Sequence, residues 1–318
     1  MVLNKNTKNI YKIKNPMSEK SSLDSFVVLH TISKGEHAVV KLIEDSYGKK
    51  FAAKIFKAKS LALRALHMSL WESELKAYRN INTLWTLRVL ASSSTGIYKK
   101  KSQKGEYSCF YMLFEYCPYG SLWDVVKLSP DEKILRFYFK QIIEGVEGLH
   151  SHGLTHLNFK LENVLIDENF GLRICGFSHS SFDTQEAPTY NGRLDYYKSP
   201  EIVKRKPYMK NKADLFAIGV MFFILLLQKP PFMRADLIDP YFKMMKAKNN
   251  EYWIRMKPKN LAVSSEYQKI INSMLGELEN ERLSIEEIKK HAWYNLEDPT
   301  REELREFFQK VREKAKIL

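Results

Sequence analysis

The apolar spacing of this chain changes several times along its length, and each change predicts a different kind of element. Residues 1–22 are rich in Lys and Asn and hold no sustained period, which predicts a basic, mobile leader. Between residues 23 and 55, short β-branched and apolar runs at 26–29, 39–43 and 51–55 are divided by polar turns around Lys34-Gly35-Glu36 and Ser46-Tyr47-Gly48-Lys49. That alternation predicts antiparallel strands. A helical period covers residues 58–81, where Ala77, Tyr78 and Ile81 follow Glu74 at offsets of three, four and seven. Glu74 is therefore expected to project from an inward-facing stripe. Residues 84–90 and 110–115 read as further strands, bridged by the basic stretch 98–105 as an exposed hairpin extension.

From Gly120 onward the period becomes helical, with a short helix over 121–127 and a longer one over 133–150. The stretch 150–178 interrupts it. There two short apolar runs, Val164-Leu165-Ile166 and Leu172-Arg173-Ile174, flank an Asp167-Glu168-Asn169 turn and predict a hairpin between two polar loops. The longest apolar run, 215–227, is too short to cross a bilayer and reads as a buried helix, so no membrane span is expected. Near the C-terminus, Thr300 and Glu303 form a capping-box pair ahead of an apolar stripe of Leu304, Phe307, Phe308 and Val311. This predicts a helix docked on its own domain, with a partner-binding or autoinhibitory helix as the alternative.

Composition narrows the class. A chain of 318 residues with 44% hydrophobic content can bury the core of one large domain. The formal charge is +14, but Lys and Arg are spread along the chain and no base-reading module is visible, so a solvated basic surface is expected and specific nucleic-acid recognition is not. Cys109, Cys117 and Cys175 are odd in number and lack metal-ligand spacing, and the N-terminus has no apolar signal core. A reduced, cytoplasmic protein is expected.

Fixed spacings within the central stretch carry the chemistry. Asn158 precedes Lys160 by two and Asn163 by five, and Gly176 follows Asn158 by eighteen. Here the chain resembles the eukaryotic protein kinases, and more narrowly their Ser/Thr, calmodulin-kinase-like members, whose His-Arg-Asp-Leu-Lys-x-x-Asn loop is followed by Asp-Phe-Gly. His156, Lys160 and Asn163 match the family pattern. Leu157 stands for its Arg, Asn158 for its catalytic Asp, and Gly176-Phe177-Ser178 for Asp-Phe-Gly. In the family, the first Asp accepts the substrate hydroxyl proton and the second ligates magnesium. An Asn amide lacks that basicity and Gly lacks a side chain, so Asn158 and Gly176 imply impaired chemistry and weak magnesium binding.

Upstream, Ser33-Lys34-Gly35-Glu36-His37-Ala38-Val39-Val40 is similar to the kinase glycine-rich loop with only Gly35 kept, and Phe51-Ala52-Ala53-Lys54 to the Val-Ala-Ile-Lys strand. The resemblance implies that Lys54 reaches nucleotide phosphates and pairs with Glu74, in preference to Glu72. It places Ile32, Val40, Ala52 and Leu165 as apolar walls of an adenine slot, Phe114 at its back, and Glu115-Tyr116-Cys117 as the hinge. Downstream, Ser199-Pro200-Glu201 is similar to Ala-Pro-Glu, with Arg282 as the partner of Glu201, and Asp214 is expected to bond the loop backbone at His156. Pro230-Pro231-Phe232, Glu287-Ile288 and His291-Ala292-Trp293-Tyr294 complete the frame, and 239–253 is similar to a variant in some calmodulin-kinase-like protist enzymes. His156, Phe177 and Tyr78 fall where the family stacks side chains to hold its shape. Because Leu157 replaces the phosphate-receiving Arg, phosphorylation at Ser180, Ser181, Thr184, Thr189 or Tyr190 is not expected to act as the usual switch.

The resemblance spans residues 26–294 and implies an α+β, bilobal fold: a small antiparallel β-sheet lobe with one helix, and a larger, mainly α-helical lobe. The expected organisation is a basic tail at 1–22, an N-lobe and hinge at 23–117, a C-lobe at 118–297 and an amphipathic helix at 298–318. The implied function is that of a pseudokinase, a binding or allosteric scaffold with a protein partner and ATP as a candidate ligand. The alternative is an active or weak Ser/Thr kinase using Lys54, Glu74, Lys160 and Asn163, with Asp183 or Glu162 standing in for the missing metal ligand. A third class, anion or nucleic-acid binding, would rest on the basic stretches 204–212 and 243–259.

Overall fold

The computed structural model describes residues 20–57, 61–81, 83–101, 105–126, 128, 130–182, 195–247 and 250–317. Expectations resting on residues 1–19, Ala58, Lys127, Asp183, Thr184, Thr189 and Tyr190 lie outside the described residues. The chain divides into two compact units: the described residues up to Met68 together with Leu90–Phe114, and Ser69–Val89 together with Glu115 onward.

The first unit is built on β1 (Ser22–Leu23), β2 (Phe26–Lys34), β3 (Ala38–Glu44) and β4 (Lys50–Lys57), followed by the start of α1 (Leu61–Asn80), β5 (Val89–Lys99) and β6 (Glu106–Glu115). The alternating runs around the Gly35 and Gly48 turns form the expected antiparallel ladder, with Val27 opposite Glu44 and Glu44 opposite Lys50. The sheet goes further than expected and closes into a barrel in the order β1-β2-β3-β4-β6-β5. The closing piece is the two-residue β1, in which Ser22 pairs with Val27 on one side and with Lys99 on the other. Asp24 fixes that closure. Its carboxylate accepts the Ile97 N–H (2.7 Å) and the Tyr111 hydroxyl (2.7 Å). Burial and this carboxylate push the Tyr111 phenol up to about 12, so the hydroxyl stays a donor. Leu23, Ile43, Ala53 and Ile55 are fully buried in the barrel interior.

Two readings of the sequence are corrected in this part of the chain. Of residues 84–90 only Val89 and Leu90 are strand; β5 begins at Val89 and runs through the polar Ser92-Ser93-Ser94-Thr95. The segment before β5 is held by other bonds: the Trp85 carbonyl accepts the Ile174 N–H (2.7 Å) and the Trp85 indole donates to Glu144 (3.0 Å). Tyr98, read as part of an exposed hairpin extension, lies in β5 and is 3% exposed. A strand whose end is paired on β1 is held by its ladder, so its polar centre needs no apolar alternation.

In the second unit the later part of α1 joins α2 (Leu122–Val126), α3 (Glu132–Ser151), the hairpin β7 (Val164–Ile166) and β8 (Leu172–Ile174), α4 (Pro200–Val203) and α5 (Lys210–Leu227). Then come α6 (Pro240–Lys246), α7 (Asn250–Met256), α8 (Ser265–Met274), α9 (Ile285–Lys290) and α10 (Arg301–Ile317). Helix α3 begins at Asp131, whose side chain accepts the Ile134 N–H, and its apolar face is buried along its length. Helix α5 has no polar face; every residue from Ala213 to Leu227 is buried, as the unbroken apolar run predicts. Helix α10 docks on its own unit. Thr300 and Glu303 form the reciprocal capping box, and Phe308 packs on Tyr119 (4.7 Å between ring centroids) and stacks on Phe170 (4.9 Å). The side chain of Val311 lies outside the described residues.

Candidate functional site

The segment between α3 and β7 is shaped from beneath by α5. Asp214 is 1% exposed, and its two oxygens accept the backbone N–H groups of His156 (2.9 Å) and Leu157 (2.7 Å), with His150 Nε2 at 2.9 Å. These bonds hold Leu157 at a φ of +57°, where a branched side chain is strained. His156 is fully buried and donates through Nε2 to the Cys175 carbonyl (3.0 Å), which leaves Nδ1 to accept the Asn158 N–H (3.2 Å). Both bonds together require the neutral ring, and burial pushes the His156 pKa down, in agreement.

Around His156 an aromatic stack forms. Phe177 lies 4.8 Å from His156 and 4.9 Å from Tyr78, and Phe159 stacks on His156 at 4.3 Å. The Tyr78 hydroxyl accepts the Gly176 N–H (3.2 Å). His156, Phe177 and Tyr78 are thus brought together as expected. Phe159 joins them without having been singled out, although its place next to Asn158 between polar residues marks an aromatic that must be buried somewhere.

Two positions that depart from the family pattern, Asn158 and Gly176, are both met by Asn163. Its amide Nδ2 donates to the Asn158 carbonyl (2.8 Å), and its own carbonyl accepts the Cys175 N–H (2.9 Å). Gly176 adopts a φ of +84°, and a Cβ there would stand 2.7 Å from both Cγ and Oδ1 of Asn163. The Asn163 amide therefore fills the space a side chain at 176 would enter. Asn158 and Lys160 are half-buried beside it. Magnesium favours hard, mostly anionic oxygens in octahedral array. The donors here are neutral amides with no side chain at 176, a set that does not fit that ion. Among the described residues no cluster of three or more His, Cys, Asp or Glu could hold a metal. Glu162 is exposed, and Asp183 lies outside the described residues.

The remaining candidates are placed within their own units. In the barrel, the Gly35 N–H closes its turn on the Ala38 carbonyl (2.8 Å), Val40 pairs with Lys54 and Ala52 with Leu42, and the Lys54 ammonium lies 5.4 Å from the Phe56 ring centroid. Ile32 is largely exposed on β2, whereas Phe114 is buried in β6. In the helical unit, Glu74 is buried on α1, Glu115 accepts the Arg88 N–H (3.3 Å), Leu165 bridges to Ser121, and burial pushes the Cys117 thiol up so that it stays protonated. Arg173 was not anticipated as a tie. It meets Asp167 (2.6 Å) and Glu115 (3.5 Å) and donates to the Leu84 carbonyl (2.8 Å), joining the hairpin to the segment before β5.

Further down, Arg282 and Glu201 form the expected pair, a buried two-pronged clasp at 2.7 and 2.6 Å. Ser180 Oγ donates to the Phe177 carbonyl (2.8 Å), and Ser181 forms a backbone bridge with Thr155. The basic stretch 204–212 is largely engaged: Lys204 binds Glu277 (2.7 Å), Lys212 donates to the Arg282 carbonyl (2.7 Å), and Lys210 is 2% exposed. From the other stretch, Lys246 shares Glu277.

Comparison with known proteins agrees with this geometry. The family model described as "protein kinase domain" matches residues 26–294. CBL-interacting protein kinase 26 of Oryza sativa subsp. japonica is 33% identical over 194 residues, covering 59% of this chain and 37% of that protein. CBL-interacting protein kinase 28 of the same plant is 29% identical over 289 residues (87% and 61%), and maternal embryonic leucine zipper kinase of Danio rerio 28% over 286 residues (87% and 38%). The chain thus spans between 37% and 61% of the length of these relatives. With one family description running through the barrel strands, the Asp214-held loop and the Glu201–Arg282 clasp, the chain belongs to the protein kinase superfamily.

Proposed function

We propose that this member of the superfamily is a pseudokinase, a scaffold that presents a kinase-shaped surface to a protein partner and transfers phosphate poorly or not at all. The observation that carries the reading is the Asn158–Asn163–Gly176 arrangement, in which the Asn163 side-chain amide donates to the Asn158 backbone carbonyl and fills the space a side chain at 176 would enter. Asn158 can orient a hydroxyl but cannot accept its proton at neutral pH. The shape is supported at the same time by Asp214 and the His156–Phe177–Tyr78 stack. ATP remains the candidate ligand, through Ile32, Gly35, Val40, Ala52, Lys54, Phe114, Glu115, Cys117 and Leu165 with Glu74 supporting Lys54, as the family resemblance assigns them. The proposed organisation is an N-lobe and hinge over 23–117 and a C-lobe over 118–297, with 298–318 as an added helix and the whole in the cytoplasm.

The test is a thermal-shift titration with ATP, with and without magnesium, beside a phosphotransfer assay. At ATP about a hundredfold above its Kd the native state gains about 2.7 kcal/mol, enough to read as a shift in Tm. A shift that does not need magnesium, with no transfer, is expected. The second reading, a weak Ser/Thr kinase, draws on the retained Lys160 and Asn163 and on relatives named as kinases. Positioning and charge stabilisation supply most of phosphoryl transfer, so loss of one base need not abolish it. Magnesium-dependent transfer that disappears in Lys54→Met would establish that reading and remove ours.

A further inference from the structure

The formal charge is divided unequally between the two units. Residues 1–68 and 90–114 hold seventeen Lys or Arg against six Asp or Glu, and among the described residues of this unit, under a third of the chain, eleven stand against five, a net +6. The other unit holds thirty-four against thirty-one, of which thirty-one and twenty-nine, a net +2, are among the described residues. The cations are indeed spread along the sequence; it is the acids that are missing from the barrel.

The strand registers gather part of this charge on one area of the barrel. From the row in which Lys99, Ser22, Val27 and Glu44 lie side by side, the same direction leads to Lys100 and Lys101 after β5, to Ser21 and Lys20 before β1, and to Lys41 along β3. Ser21 ties these together, since its carbonyl accepts the Val28 N–H (2.8 Å) and its hydroxyl the Lys101 N–H (3.0 Å). Lys41 is half-buried with its ammonium on the Thr31 hydroxyl. Burial, then the neighbouring charges of Lys34 and Lys100, push its pKa down. Lys20, Lys34, Lys100 and Lys101 are exposed. Nearby acids are partly spent: Glu106 pairs with Lys99 (2.6 Å), Asp24 is held by Tyr111 and Ile97, and Asp45 accepts the Tyr47 and Lys49 N–H groups, which leaves Glu44 on β3 and Glu36 in the turn before it among the described residues.

The kind of cation points to the kind of partner. Of the seventeen, one is arginine, and that residue, Arg64, donates to the Ser108 hydroxyl and covers the Phe110 ring. Arginine forks suit bidentate recognition of phosphates and base edges, while lysine is a hydrated point charge suited to a diffuse anionic surface. Leu29 and Ile32 are exposed on β2 beside His30 and Lys34, and the exposed tyrosines of this unit, Tyr47 and Tyr107, stand singly on the β3–β4 turn and on β6, where single-stranded nucleic acid calls for successive stacking platforms. We infer that this face of the barrel docks on the anionic surface of a lipid bilayer, through Lys20, Lys34, Lys41, Lys100 and Lys101.

The experiment is co-sedimentation of the full chain with phosphatidylcholine vesicles containing or lacking about 30 mol % phosphatidylserine, at about 0.15 M salt. Binding is expected only with phosphatidylserine, falling about tenfold or more as salt rises to about 0.5 M. The triple variant Lys34→Glu, Lys100→Glu, Lys101→Glu is expected to lose at least about tenfold in binding with its Tm unchanged. Lys243→Glu, Lys257→Glu, Lys259→Glu, the same charge change on the other unit, is expected to bind as wild type. If the first triple lowers Tm, the Gln substitutions at the same three lysines supply the same readout. Equal sedimentation with neutral vesicles, full binding by the first triple, or tighter binding to a single-stranded oligonucleotide than to the anionic vesicles would each overturn the inference.

Discussion

Asp214 and Gly176 flank the same buried histidine, and they treat acidity in opposite ways. At Asp214 a carboxylate is kept in a site 1% exposed, because two backbone N–H groups and the His150 ring need its oxygens. At Gly176 no acid is present, and a neighbouring amide occupies the space. The difference teaches where an acid is held by folding and where by chemistry alone. A carboxylate that satisfies buried donors cannot be removed without leaving them orphaned. One whose only partners would be bound ions leaves behind a gap that Asn163 can fill.

The largest effect is expected where the folding role is purest. Arg282→Ala should destabilise by about 3–5 kcal/mol in urea unfolding, because it strands Glu201 as an unpaired buried charge. Asp214→Asn should cost about 1–3 kcal/mol and speed amide exchange at His156 and Leu157, since an amide presents donors where only acceptors are wanted. If either proves neutral, the comparison loses its folding half.

Restoring the acids tests the other half. Gly176→Asp alone should cost about 1–2 kcal/mol, from the left-handed backbone and the displaced Asn163 amide, whereas Asn158→Asp should be close to neutral. The double variant is expected to gain a magnesium-dependent thermal shift with ATP that the wild type lacks. A double variant indifferent to magnesium would place the defect elsewhere, with the single-glycine loop around Gly35 as the next suspect.

His156 gives a pH signature. Its folded pKa is depressed, so its contribution to stability is fully present above its unfolded value of about 6.5 and is lost as pH falls through the folded value. Urea midpoints should decline from pH 7.5 toward 5, and an NMR titration should keep the ring in its Nε2–H form until unfolding begins. A modest effect is expected at the edge of the unit: Thr300→Ala should cost about 1 kcal/mol and increase exchange in the first turn of α10.

The readable parts of the chain were those in which one residue does one local job. The runs on either side of Gly48 announce β3 and β4, the unbroken 215–227 run announces a helix buried on all sides, and Thr300 with Glu303 announces a cap. The spacing of His156, Lys160, Asn163 and Gly176 announced the site. Less readable were parts that depend on partners distant in sequence. Residues 84–90 looked like a strand because their apolar side chains carry no label for what they cover, and Ser92 to Thr95 gave no strand signal because pairing, not hydrophobicity, makes β5 a strand.

By itself the sequence determined the order of elements, the kinase frame and the absence of acid at 158 and 176, since periodicity and residue identity are properties of adjacent positions. Only the tertiary structure decided that two residues of the basic leader's edge would close a barrel, that Asn163 would fill the place of a side chain at 176, and that Lys34, Lys41 and Lys100 would gather on one area of that barrel. Those facts depend on which residues meet across long chain separations, where Asp24 finds Tyr111 and Asp214 finds His156, and no local pattern encodes such a meeting.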